Sequence, residues 1–94
     1  LLRFVHATPH GREWVDLLPV GGQDGTLASR FEGQPAGSRI HAKTGSLSHV
    51  SALAGYAERG GKPALAFSLI VNNYNAPASE IRRVIDKIGL ALVE

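Results

Sequence analysis

The residues best equipped for chemistry stand together as Lys43-Thr44-Gly45-Ser46, within the run His41-Ala42-Lys43-Thr44-Gly45-Ser46-Leu47. An ammonium beside a hydroxyl can hold a carboxylate through charge-assisted hydrogen bonds. The glycine has no side chain, so a ligand can lie against the backbone, and the next N–H, that of Ser46, can face an oxyanion. A second reading is a phosphate loop. Gly37-Ser38-Arg39-Ile40-His41-Ala42-Lys43-Thr44 has the spacing GxxxxGK[ST], except that Ala42 stands at the second glycine. Such a loop needs that glycine so that amides can wrap a phosphate, and it needs a helix opening at the lysine. Here a glycine turn and the β-type run His49-Val50-Ser51-Ala52-Leu53 follow, so both requirements fail. A third reading makes the triplet ordinary: a lysine on a solvated strand end, a threonine with β propensity and a turn glycine.

The other polar residues have simpler explanations. His6, His10, His41 and His49 lack metal-ligand spacing, and with no cysteine in the chain thiolate sites and disulfides are absent. No metal and no organic cofactor is expected. His41 shares a strand face with Lys43 and is expected to be structural or solvent-facing. Asp24, in a glycine-rich loop, reads as a loop anchor rather than an acid or base. Asn72 and Asn73 suit a strand end, Arg82, Arg83 and Lys87 a solvated helix face, and Trp14 the core.

These residues need elements to position them. The expected fold class is α/β: a three-stranded antiparallel sheet with a C-terminal helix, as part of a larger domain. Helical turns are expected over 1–31, the sheet over 39–72 and the helix over 76–93. Leu1 to Ala7 and Arg12 to Leu18 read as short helical turns around the breaker Thr8-Pro9-His10-Gly11. Thr26 is positioned to cap a turn through Ala28 to Phe31, and Glu32 to Ser38 reads as an irregular loop. Arg39 to Thr44 and Ser48 to Glu58 read as strands joined tightly at Gly45-Ser46-Leu47. Arg59-Gly60-Gly61-Lys62-Pro63 then turns the chain into a third strand, Ala64 to Asn72. Pro77 opens a helix in which Ile81, Val84, Ile85, Ile88 and Leu92 recur at helical spacing.

The third strand is apolar on both alternating sets, which suits a strand covered on two sides. Two hairpins nevertheless leave it at the sheet edge. A long apolar edge is an aggregation hazard, so a further strand, from an upstream segment or another chain, is expected to pair there.

With 94 residues, 44% hydrophobic and 19% charged, the chain is one small domain or part of one, not a disordered or collagen-like polymer. No apolar run reaches the roughly 18 residues of a membrane span. The net charge of +2 comes from scattered Lys and Arg, with no basic stripe to meet nucleic acid. The chain opens LLRFVHATPHG, without an initiator Met or a signal-type segment, so export cannot be read from it, and an opening in mid-helix suggests a fragment.

The motifs resemble a known family. Leu18-Pro19-Val20-Gly21-Gly22-Gln23-Asp24-Gly25-Thr26-Leu27 with Arg30-Phe31, the run Ala42-Lys43-Thr44-Gly45-Ser46-Leu47, then Val50-Ser51-Ala52-Leu53-Ala54-Gly55-Tyr56 and Phe67-Ser68-Leu69-Ile70-Val71-Asn72-Asn73 are similar, in order and spacing, to the class C type-4 D-alanyl-D-alanine carboxypeptidase/endopeptidases. These are serine peptidases among the low-molecular-weight penicillin-binding proteins, with motifs S-x-x-K, S-x-N and K-T-G. The resemblance implies a partial β-lactamase/transpeptidase-like domain in which Lys43 and Ser46 are catalytic and Thr44 and Gly45 bind substrate. Lys43 would fix charge in the cleft, Thr44 would hold the substrate carboxylate, and Ser46 N–H would form half the oxyanion hole. It also implies peptidoglycan peptide substrates, β-lactam antibiotics as ligands, and a periplasmic or wall-associated location. No S-x-x-K and no S-x-N occurs in these residues. The nucleophile is therefore expected in a missing N-terminal part, and this chain alone is expected to be inactive. The same fold also serves β-lactamases and esterases, and a non-catalytic wall-binding domain would keep it as well. An upstream S-x-x-K and S-x-N would separate catalysis from mere binding.

Overall fold

The computed structural model describes residues 1–31 and 33–94; Glu32, the first residue of the expected irregular loop, lies outside the described residues. The chain runs α1 (Leu2–His6), α2 (Gly11–Asp16), a 3-10 turn (Gly25–Leu27), a second 3-10 turn (Pro35–Arg39), β1 (Ile40–Leu47), β2 (Val50–Arg59), β3 (Lys62–Asn72) and α3 (Ala78–Leu92). The strands form one antiparallel sheet in the order β1-β2-β3. The expected α/β fold is what the chain adopts.

Three local expectations are corrected. Thr26 lies inside the first 3-10 turn rather than capping a turn, and Asp24 occupies the preceding position. Pro35–Arg39 is a 3-10 turn, favoured by a proline at its start, rather than irregular loop. Gly45, Ser46 and Leu47 are not the connection between strands. They continue β1, opposite Ala52, Ser51 and Val50, and Ser48-His49 makes the turn. Pairing with a β-rich partner overrides the turn preference of a single glycine.

One face of the sheet makes the core. Ile40 and Ala42 of β1, Leu53 and Ala57 of β2 and Phe67 of β3 meet Leu27, Phe31, Ile85 and Val93. The helix comes close because Gly89 offers no side chain; a Cβ there would sit 3.2 Å from Ile40 Cδ1. Gly55 does the same between strands, since a Cβ would meet the His41 carbonyl oxygen at 2.1 Å. Of the helical stripe, Ile81 and Ile85 face inwards, whereas Val84 and Ile88 are 50% and 41% exposed.

In β3 the set Leu65, Phe67, Leu69 and Val71 packs on the core, while Ala64, Ala66, Ser68 and Ile70 are exposed. The covering expected on both sides is therefore present on one only, and among the described residues no strand pairs with the outer edge of β3.

A mostly buried ion pair joins the first half to the last helix. Arg30 Nε donates to Asp86 Oδ1 and Oδ2 at 2.9 Å each, its Nη2 also meets Oδ1, and the side chains are 12% and 18% exposed. Removing one partner strands the other charge. Arg30→Ala is expected to cost about 3 kcal/mol, read as a lower denaturation midpoint of the full-length protein, with Arg30→Met/Asp86→Leu recovering part of the loss.

Candidate functional site

The site is built on the outer edge of β1, where the sheet is covered for half its length and then left open. Gly21 N–H donates to Ile40 O and Ala42 N–H to Pro19 O, each at 3.0 Å, and Val20 bridges His41. The segment Pro19–Gly21 thus acts as a stub of a fourth strand. Asp24 holds that stub in shape, its Oδ1 accepting from Val20 N–H at 2.6 Å, which is the loop-anchor role expected from its glycine-rich surroundings. The stub ends opposite Ala42, one residue before Lys43.

The direction of the free groups follows from the ladder. In an antiparallel pair the backbone groups of alternate residues point to opposite sides. Ala42 N–H points away from β2, towards Pro19, and the β1–β2 register runs without a bulge from Ile40↔Ala57 to Leu47↔Val50. Thr44 and Ser46 therefore also turn N–H and C=O outwards, to an edge on which no strand lies among the described residues. Among the described residues no hydrogen bond from the Ser46 amide is found on that side.

Strand alternation puts Lys43 and Thr44 on opposite faces. Thr44 is opposite the buried Leu53, and Lys43 opposite Ala54 on the other face. Their polar ends are nevertheless together. Lys43 folds over the open edge and donates from Nζ to Thr44 O at 3.0 Å and to Thr44 Oγ1 at 3.4 Å. A long flexible side chain on a sheet edge can do this; on an inner strand it could not. The ammonium, the hydroxyl and the Ser46 N–H accordingly lie along one open edge.

Among the described residues, nothing demands the small size of Gly45. A Cβ there would touch only Ala52 Cβ, at an ordinary 3.7 Å, and its backbone angle is not left-handed. The contrast with Gly55 is direct, because Gly55 is demanded by the neighbouring strand.

His41 lies on the Lys43 face and packs beside Glu58. Its side chain is 15% exposed, with Nε2 3.1 Å from Glu58 Oε1, and its buried Nδ1 has no partner among the described residues. Trp14 is half-buried and donates from Nε1 to Tyr56 Oη at 2.9 Å; that hydroxyl donates in turn to Leu2 O at 2.6 Å. Two cavities, of about 350 and 500 Å3, lie beside Phe31 and Gln34 and between α1 and β3 respectively. Neither is lined by any of Lys43 to Ser46. The candidate residues lie along an edge of the sheet on which no strand pairs among the described residues.

Residues that sequence reasoning passed over gather behind the β1–β2 turn: His49, Ser51 and Tyr74. They are 23 and 25 positions apart, so no local pattern announces the contact.

Comparison with known proteins returns one family and several relatives. The profile of the D-Ala-D-Ala carboxypeptidase 3 (S13) family matches residues 1–91. A D-alanyl-D-alanine carboxypeptidase of Actinomadura sp. is 39% identical over 99 aligned positions, covering all of this chain and 18% of that protein. Penicillin-sensitive carboxypeptidase A of Dictyostelium discoideum is 36% identical, over 87% of this chain and 17% of its own length. Carboxypeptidase DacB of Mycolicibacterium smegmatis is 45% identical, over 72% of this chain and 16% of its own length. The chain thus spans less than a fifth of the relatives that it matches.

Proposed function

This chain belongs to the D-Ala-D-Ala carboxypeptidase 3 (S13) family, and from that premise we propose that it is the K-T-G portion of a serine-type D-Ala-D-Ala carboxypeptidase/endopeptidase acting on peptidoglycan peptides. The observation that carries the reading is the open edge of β1, with Lys43 Nζ resting on Thr44 and the Ser46 N–H directed outwards. A peptide laid along that edge would meet an ammonium and a hydroxyl suited to its terminal carboxylate, and a backbone donor for its scissile carbonyl. Gly45, whose small size nothing among the described residues demands, leaves room for the peptide to approach.

The chemistry is acyl transfer. A serine outside these residues, in an S-x-x-K motif, attacks the carbonyl carbon of the penultimate D-Ala. The oxyanion is stabilised at Ser46 N–H, the C–N bond breaks and D-alanine leaves with the proton. Water then hydrolyses the ester and regenerates the serine. Penicillins acylate the same serine, and the name of the Dictyostelium relative, a penicillin-sensitive carboxypeptidase, supports that ligand class. With no S-x-x-K in its 94 residues, the chain by itself is inactive in this reading. The outer edge of β3, unpaired among the described residues, suits a sheet that continues in the rest of the protein. Peptidoglycan places the reaction in the periplasm or at the wall.

The test uses the full-length protein. Incubated with benzylpenicillin and digested, it is expected to carry the penicilloyl mass on a serine outside residues 1–94, and without antibiotic to release D-alanine from a D-Ala-D-Ala peptide. An adduct on a serine within residues 1–94, or neither adduct nor release, would contradict the proposal.

A further inference from the structure

The turn that ends β1 is tied, by one residue, to the segment that leaves β3 at the same end of the sheet. Tyr74, between β3 and α3, places its hydroxyl 2.9 Å from Ser51 Oγ, and its carbonyl oxygen accepts from His49 Nδ1 at 2.9 Å. The His49 and Tyr74 rings meet edge-on, centroids 6.3 Å apart and planes at 70°. Ser51 is 4% exposed, more deeply buried than any other serine, threonine or charged residue described. Two non-glycine residues in the left-handed region, His49 at φ 58 and Asn73 at φ 55, flank these contacts. Such conformations persist only where surrounding contacts hold them.

Ser51 is the cross-strand partner of Ser46. Because the Ser46 N–H points away from β2, this pair exchanges no ladder hydrogen bond. The peptide carrying that N–H is therefore held through its neighbours, the turn and the packing of Ser51. Tyr74 grips both, the turn through His49 and the strand through Ser51.

We propose that Tyr74 is a positioning residue that fixes the direction of the Ser46 N–H through Ser51 and His49. The inference rests on the reading of Ser46 as an oxyanion donor. Such a donor acts only when held about 2.7–3.1 Å from the developing oxyanion, and a displacement on the order of 1 Å can cost roughly 100-fold in rate. Tyr74 lies behind the turn and acts through the strand, so its loss is felt in the chemical step and not in capture of the ligand carboxylate. Removing its hydroxyl also leaves the buried Ser51 Oγ without its partner.

The experiment is rapid-mixing kinetics of penicillin acylation on the full-length protein. The acylation rate constant and the dissociation constant of the non-covalent complex are resolved separately, so that neither depends on the folded fraction. Tyr74→Phe is expected to lower the rate constant about 10-fold while the dissociation constant stays within about 2-fold. Ser51→Ala is expected to do the same, and the double variant to fall little further, because both remove one contact. Should Tyr74→Phe not fold, Ser51→Ala carries the same expectation with the tyrosine in place. A Tyr74→Phe rate constant within about 2-fold of the unsubstituted protein, a loss confined to binding, or fully additive losses would overturn the inference. If the unsubstituted protein takes up no penicillin, the reading of the site fails and this inference falls with it. Normal uptake with an unaffected Tyr74→Phe removes Tyr74 alone.

Discussion

Ser46→Pro in the full-length protein is expected to slow penicillin acylation by about 100- to 1,000-fold, the range seen when one oxyanion-hole donor is removed. Proline deletes the backbone N–H and nothing else that the ladder uses. Because the Ser46 N–H points to the open edge, the β1–β2 hydrogen bonds survive, and edges are where sheets tolerate proline. Ser46→Ala, which keeps the N–H, is expected to stay within about 3-fold of the unsubstituted rate, so that the loss is assigned to the amide and not to the hydroxyl. Both variants are read by single-turnover acylation. Equal rates for Ser46→Pro and Ser46→Ala would remove the amide from the mechanism.

The second large effect falls on Lys43. Lys43→Ala is expected to reduce labelling of the full-length protein by a fluorescent penicillin by about 100-fold, the size of loss that follows when one member of a desolvated charge pair is deleted. The ammonium rests on Thr44 O and Oγ1; in the proposed site its removal would take away the charge that meets the ligand carboxylate and a contact of the Thr44 hydroxyl. Lys43→Arg keeps the charge but replaces a compact ammonium by a planar fork, and is expected to recover only part of the loss. The rate of band appearance on a gel is the measurement. Equal labelling of Lys43→Ala and the unsubstituted protein would exclude Lys43.

The open edge was legible in the sequence only in part. The K-T-G run, the two hairpins, the strand order and the C-terminal helix follow from patterns within about ten residues: alternation, paired glycines and a proline at the helix start. The point at which β1 ends did not. Gly45 signals a turn locally, yet Ala52, Ser51 and Val50 draw residues 45–47 into the ladder, and this registration is what turns the Ser46 N–H outwards. The stub Pro19–Gly21 was also invisible, because its partners lie some twenty residues away and its hydrogen bonds use backbone groups common to every sequence. The meeting of Lys43 with Thr44 contradicts simple strand alternation. It becomes intelligible once the strand is seen to be an edge that a lysine can fold across. Helical spacing singled out Val84 and Ile88 together with Ile85, but periodicity fixes which residues share a stripe and not what that stripe meets.

A crystal structure of the full-length protein acylated by a penicillin tests the oxyanion role of the Ser46 N–H. The acyl carbonyl oxygen is expected about 2.7–3.1 Å from Ser46 N. The antibiotic carboxylate is expected within hydrogen-bonding distance of Thr44 Oγ1 and close to Lys43 Nζ, with the ester on a serine outside residues 1–94. An acyl group seated away from the edge of β1, or a Ser46 N–H already paired to another strand of the protein, would contradict that role.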